Sequence, residues 1–186
     1  MYDVLIIGAG PAGASAGIFA ARAKKKVLIL DNDKSGTKKA WADNHYAVMG
    51  ITGYDVFETG KKQAAKYGAE VKLAEATAIE QIENGWRVTA GEDVYDSAAV
   101  ILATGAAKGL ARELGLQMKT GKDEGRTEVI AVDEEGRASM KGIWACGICT
   151  GQSMHITVTS GDGARVAINL LSEMNGKRYV DHDMMC

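Results

Sequence analysis

Residues 1–31 read MYDVLIIGAGPAGASAGIFAARAKKKVLILD. Tyr2–Gly8 is an almost unbroken apolar run and predicts a buried strand. Three glycines follow as Gly8-x-Gly10-x-x-Gly13. Pro11 to Ala23 is alanine-rich and predicts a helix, with Pro11 in the first turn, where a missing N–H costs nothing. Val27–Leu30 predicts a second strand, closed by Asp31. In such a β-α-β unit each glycine has its own physical use: Gly8 permits the tight turn, Gly10 lets backbone approach a pyrophosphate, and Gly13 lets helix and strand lie close. The helix N-terminus offers free N–H groups and a positive dipole end to the phosphates. Asp31 stands 18 residues past Gly13, at a strand tip where a carboxylate can accept hydrogen bonds from a ribose. A glycine triplet alone says little. With strand, helix and acid around it, a dinucleotide site is preferred over a glycine-rich structural turn.

The 186 residues suit one domain, and 46% apolar content is enough to build its core. A net charge of −2 gives no reason to expect nucleic acid or an anionic membrane as partner. Lys24-Lys25-Lys26 reads as a solvated helix end, with phosphate binding the minor alternative. No apolar run approaches the roughly 20 residues of a membrane span, and Val4–Ile7 after Asp3 is not a signal peptide. Three cysteines without a secretion signal lead us to expect a cytoplasmic chain with reduced thiols.

Further along, Ser35–Tyr54 reads as loop and Asp55–Tyr67 as a helix ended by Gly68. Short strands are predicted at Glu70–Leu73, Thr77–Ile82, Trp86–Ala90, Asp93–Tyr95 and Val100–Leu102, with Asn84-Gly85 as a hairpin turn. Gly109–Gly115 predicts a helical turn, and Val129–Val132 and Gly142–Ala145 predict strands. His155–Met174 predicts a long last helix, and Asp181–Cys186 a mobile tail. The expected fold is α/β: a Rossmann-like nucleotide-binding fold with a parallel sheet, flanking helices and a small antiparallel β element from about Thr77 to Tyr95. A single domain over 1–186 is expected.

The segments at residues 2–31, GITGYDVFETGKKQAAKYGAEV (50–71), ILATGA (101–106), GIWACGICTG (142–151) and SGDGARVA (160–167) together resemble the FAD domain of thioredoxin reductase-like flavoproteins. The resemblance makes the Rossmann-like fold an FAD-binding fold and implies FAD as the cofactor. It implies that Gly8, Gly10, Pro11, Ala12 and Gly13 hold its pyrophosphate, that Asp31 binds the adenosine ribose, and that Ala103, Thr104 and Gly105 line the flavin. Gly147 matches the glycine of the family's late Gly-Asp motif. His155, Ile156 and Thr157 match the start of the last helix, whose N–H groups face the flavin pyrimidine and stabilise negative charge on a reduced flavin. His155 also reads as a flavin-side residue or helix N-terminal group, with general acid the minor alternative.

Three departures from the family matter. Only residues 106–141 separate Gly105 from Gly142, too few for the family's inserted NAD(P)H-binding domain, and there is no second Gly-x-Gly-x-x-Gly. The family's redox Cys-x-x-Cys belongs to that missing domain. Ile148 stands where the resemblance implies an Asp that accepts a hydrogen bond from the ribityl chain. One lost hydrogen bond costs about 0.5–1.5 kcal/mol, so FAD affinity is expected to fall without being abolished.

Cys146 and Cys149 form another Cys-x-x-Cys, at the end of a core strand. They are either buried small apolar groups, which the family tolerates there, or a redox pair beside the flavin, with a thiol pKa depressed by a nearby helix N-terminus. One Cys-x-x-Cys and one nearby His give zinc too few ligands, so no metal is assigned. Cys186 is an incidental terminal thiol or a swinging arm, and His182 with Met184 and Met185 a weak soft-metal alternative.

Two functions compete. One is an FAD-dependent oxidoreductase reduced by an external donor, passing electrons to an acceptor such as a thiol/disulfide protein, with Cys146 and Cys149 as relay. The other is a non-catalytic FAD-binding module, sensor or subunit. A third reading is a structural remnant that pairs with a partner chain. An uncovered flavin face favours a homodimer or a partner subunit.

Overall fold

The structure is a computed structural model describing residues 1–121 and 128–182. β1 (Tyr2–Ile7), α1 (Pro11–Arg22) and β2 (Val27–Asp31) form the expected parallel unit, Val4 pairing with Val27 and Ile7 with Leu30. Both strands are almost wholly buried because one face of the sheet packs against helix residues such as Ala16 and Val166 and the other against residues such as Trp86, Val88 and Tyr95, which is why they read as continuous apolar runs. Burial of each Val, Leu or Ile there contributes about 1.5–3 kcal/mol. α1 packs closely because its buried face is made of Ala12, Ala16, Gly17, Ala20 and similar small residues.

β3 (Trp41–Ala42) and β4 (Ile51–Thr52) form a two-residue ladder inside the segment expected to be plain loop. α2 (Gly53–Lys66) begins two residues before the expected Asp55, because the Thr52 hydroxyl caps it by accepting the Asp55 N–H at 3.0 Å. β5 (Glu70–Leu73) adds to β2 in parallel.

β6 (Ala76–Ile82), β7 (Gly85–Ala90) and β8 (Asp93–Leu102) form an antiparallel meander. Its first turn is Glu83-Asn84, with Gly85 already paired to Ile82, one residue off the expected Asn84-Gly85. β8 joins two predicted strands into one. Asp96 to Ala98 are poor strand formers, but Arg87 grips Asp96 at 2.7 and 2.9 Å across the ladder, and Ser97 pairs with both Trp86 and Tyr2.

α3 (Gly109–Glu113), β9 (Met118–Lys119) and β10 (Val129–Ile130) follow, then β11 (Ile143–Ala145). β11 pairs with β8 from Val100 to Leu102, beyond the stretch that β7 occupies. The result is one seven-stranded sheet, β5-β2-β1-β8-β7-β6 with β11 also on β8, so the antiparallel element is continuous with the parallel core. α4 (Ile156–Asn175) lies against α1. Two buried clusters fill the two faces of the sheet. Val4, Ile6, Ile29 and Trp144 belong to one, and Leu5, Ile7, Leu30 and Ile143 to the other.

Of the expected tail, residues 183–186 lie outside the described residues, and Asp181 is held by its carboxylate. That carboxylate takes Arg22 Nε at 2.7 Å and Nη2 at 2.8 Å, which ties it to the end of α1. Cys186, Met184 and Met185 lie outside the described residues, and His182 is exposed. Among the described residues, no helix is long and apolar enough to cross a membrane.

Candidate functional site

The tips of β1, β8 and β11 are laced together: the Ala103 N–H donates to Ile7 O at 2.9 Å and the Cys146 N–H to Leu102 O at 3.0 Å. Gly8 leaves β1 with φ +105°, and a Cβ there would lie 2.4 Å from Ala103 O. A Cβ on Gly13 would lie 1.9 Å from Gly8 O. Glycine is therefore required at both positions, and the pair opens a backbone cradle at the start of α1. Gly10 is the N-cap of α1 and Pro11 its first residue, with no side-chain cap and no acid in the first turn. The first-turn N–H groups of Ala12 and Gly13 have no carbonyl partner within the helix, which suits an anion.

Asp31 sits at the next tip, 4% exposed. Its Oδ1 accepts the Asp33 N–H at 3.0 Å and its Oδ2 takes Lys61 Nζ at 3.3 Å. Burial pulls the Lys61 pKa down, but the hydrogen bonds to Glu58 and Asp31 and the Asp31 charge outweigh it and leave the ammonium above its ordinary value. Asp31, Asp33, Lys61 and Lys62 share an open cavity of about 470 Å³ with Val71 and Leu73.

Thr104 and Gly105 follow the tip of β8 and are half-buried, the Thr104 hydroxyl donating to Ala107 O at 2.6 Å. His155 is the N-cap residue of α4, exposed, its Nδ1 2.6 Å from Ser153 Oγ. Ile156 is half-buried and Thr157 exposed. The start of α4, like that of α1, has no side-chain cap and no acid in its first turn. Both borders meet at a cavity of about 150 Å³ touched by Pro11, Phe57, Ile156 and His45.

Four residues at the site were missing from the sequence reading. Ser35 Oγ would lie 3.3 Å from a Cβ on Gly10. His45 Nδ1 shares a 2.8 Å hydrogen bond with Thr157 Oγ1. Lys61 pairs with Asp31, and Asp162 binds the Gly147 turn. The helical spacing of Lys61 from Glu58 was visible in sequence. The loop placing Ser35 and His45 has no periodicity to read.

Gly147 is buried, with φ +80°, at the start of a 3-10 turn (Gly147–Thr150). Its N–H donates to Asp162 Oδ2 at 2.7 Å. Ile148, next in the turn, is half-buried.

Cys146 and Cys149 are free thiols with no exposed surface. Cys146 belongs to the cluster of Trp144 and Val166, and Cys149 to that of Leu102 and Ile130, on the opposite face of the sheet. The expected depression of a thiol pKa is reversed. Burial pushes Cys146 well above its ordinary value and Cys149 up to about 11. Cys149 Sγ instead donates to Cys146 O at 3.2 Å and Leu102 O at 3.3 Å. The geometry is that of two small core residues.

The sequence model of the pyridine nucleotide-disulphide oxidoreductase family matches residues 2–124. A thioredoxin reductase of Treponema pallidum is 31% identical over 170 residues, covering 88% of this chain and 49% of that protein. A glucosaminate ammonia-lyase of Pseudomonas fluorescens is 31% identical over 152 residues, covering 80% of this chain and 42% of the other. The chain spans about half the length of the curated relatives it matches. A solved thioredoxin reductase from Gloeobacter violaceus shares the fold with a TM-score of 0.83 at 18% identity, over 100% of this chain and 99% of that one.

Proposed function

Because the chain belongs to the pyridine nucleotide-disulphide oxidoreductase family, we propose that it is an FAD-binding, thioredoxin reductase-like oxidoreductase unit. One observation carries the reading: Gly8, Gly13 and Ala103 meet in a backbone cradle that a single Cβ would fill, with the Asp31 carboxylate at the neighbouring strand tip. Gly10, Pro11, Ala12 and Gly13 would hold the pyrophosphate and Asp31 the ribose. The Ala103-Thr104-Gly105 turn and the start of α4 at His155, Ile156 and Thr157 would border the flavin. Bound flavin would supply the electron transfer itself, from a donor to an acceptor such as the disulfide of another protein.

These residues form a single domain with one nucleotide site in this reading, so the donor is external to it. The described part of 106–141 holds only α3, β9 and β10 between the two motifs that an inserted domain would separate. The acceptor meets the flavin directly, because Cys146 and Cys149 are buried on opposite faces of the sheet and have little thiolate. Exposed Trp41, Tyr46 and Met49, in the loop whose His45 reaches Thr157, with exposed Met154 and Val158 around the start of α4, support a second copy or partner subunit.

The test is the visible absorption spectrum of the purified protein and identification of any cofactor released on denaturation. Yellow protein releasing FAD supports the reading, and colourless protein that takes up no added FAD overturns it. Bleaching by NADH, NADPH or a reductase, followed by reoxidation with a disulfide, separates the oxidoreductase from a module that binds FAD without turnover.

A further inference from the structure

The geometry points to Asp162 as the positioning residue of the cofactor turn, an inference that rests on the FAD reading above and deepens it. Asp162 lies in the second turn of α4 and is 7% exposed. Its Oδ2 accepts the Gly147 N–H at 2.7 Å. Its Oδ1 takes Arg165 Nε at 3.1 Å and Nη2 at 2.8 Å, and Arg165 also donates to Glu134 O. A buried carboxylate is costly unless it is paired and hydrogen-bonded, and here both oxygens are engaged.

The surroundings say what that charge is for. Gly163 rests on the first turn of α1, where a Cβ would lie 2.0 Å from Ala12 O. A Cβ on Gly147 would lie 2.9 Å from the Ala12 side chain. Ala12, Gly147 and Asp162-Gly163 therefore form one close-packed junction of α1, the tip of β11 and α4. Within it Asp162 holds the Gly147 N–H inward and fixes the turn in its left-handed conformation. That N–H is thereby committed to the protein, and the cofactor contacts of this turn fall to the residues from Ile148 onward. Position 148 carries no acid of its own. A carboxylate reaches the same turn from α4, and acts on its backbone.

The turn lies at the pyrophosphate and ribityl half of the site, while Asp31 serves the adenosine half, so the two halves can be tested separately. Cofactor-free protein is titrated with FAD and with AMP, which carries only the adenosine half. Asp162→Ser is expected to weaken FAD about tenfold and to leave AMP within about twofold. Asp162→Asn keeps an oxygen that accepts the Gly147 N–H and is expected to lose less than Asp162→Ser. Unchanged FAD affinity in Asp162→Ser overturns the proposal, as does an equal loss of FAD and AMP, which would make Asp162 a general packing residue. If Asp162→Ser does not fold, hydrogen exchange at the Gly147 amide of the unmodified, FAD-free protein decides: slow exchange supports the tie and exchange at an open-amide rate overturns it. Unmodified protein that binds AMP but no FAD brings down the parent reading and this one with it. FAD binding that ignores Asp162 removes this one alone.

Discussion

Gly13 backs onto Gly8 so closely that a Cβ on Gly13 would lie 1.9 Å from the Gly8 carbonyl oxygen. Gly10, two residues from Gly8, is far less crowded: its φ of −64° is ordinary, and a Cβ would meet only Ser35 Oγ, at 3.3 Å, a tight contact with a side chain that can turn aside. The two glycines should therefore separate folding from binding. Gly13→Ala should cost about 2 kcal/mol or more and lower Tm by roughly 5 °C. Gly10→Val should hold Tm nearly constant and lower FAD content at least about tenfold, because its side chain fills the pyrophosphate approach. Thermal unfolding and released-flavin measurements check both, and full FAD occupancy in Gly10→Val would remove the site from α1.

The buried thiols predict silence toward alkylating reagents. Native protein at pH 8 should leave Cys146 and Cys149 unmodified, and both should react after unfolding, as mass spectrometry of each peptide would report. The Cys149 pKa is raised in the folded state, to about 11 from an ordinary 9, so the folded protein keeps a proton that the unfolded chain releases. This contribution is full below pH 9 and is lost as pH rises toward 11. Cys149→Ala should flatten the decline in stability across that window. A decline as steep as in the unmodified protein would mean that the thiol does not titrate as placed here.

Ile148→Asp should tighten FAD by up to about tenfold, since an added acceptor at this turn would meet a ribityl hydroxyl. Fluorescence titration of the cofactor-free protein measures it. No change would mean that residue 148 does not face the ribityl chain.

Arg22 holds Asp181 with two short bonds and side-chain exposures of 23% and 14%. Arg22→Met should cost about 1 kcal/mol and free the segment after Tyr179. Asp181 is held below the ordinary carboxylate range, chiefly by its hydrogen bond with Arg22, so this stabilisation is present above pH 4 and lost as pH falls through the lowered value. Acid unfolding of the unmodified protein and Arg22→Met should converge at low pH, and a constant gap between them would contradict the assignment.

The first 31 residues disclose strand, helix, strand and acid because local pattern and tertiary role agree there. The two ends of β8 were legible separately, but their union was not, since Asp96 and Ser97 are held by Arg87 and by flanking strands rather than by their own propensity. His45 reaches Thr157 across 112 positions of sequence, which no local pattern encodes. Asp162 looked like one more polar residue on a helix. Its burial follows from Gly163 letting α4 settle on Ala12, a contact visible only once the two helices are together. The cysteines carried a motif that suggested chemistry, and the 3-10 turn after β11 sends their side chains to opposite cores.

The sharing of β8 between meander and parallel core bears on the order in which the molecule assembles. β6, β7 and β8 are joined by short turns, so their pairing closes small loops and should be fast, whereas β1 must find β8 across most of the intervening chain. We therefore expect the meander to form early and to offer β8 as a template. Its remaining edge receives β11 last, and with three residues this is a short addition. Pulsed hydrogen exchange should show protection in β7 and β8 before Ile143–Ala145, and simultaneous protection would refute this order. Gly147 follows β11 with only Cys146 between them, so the cofactor turn is completed only at the final docking step, and a ligand bound there would act as the clasp on an otherwise assembled sheet.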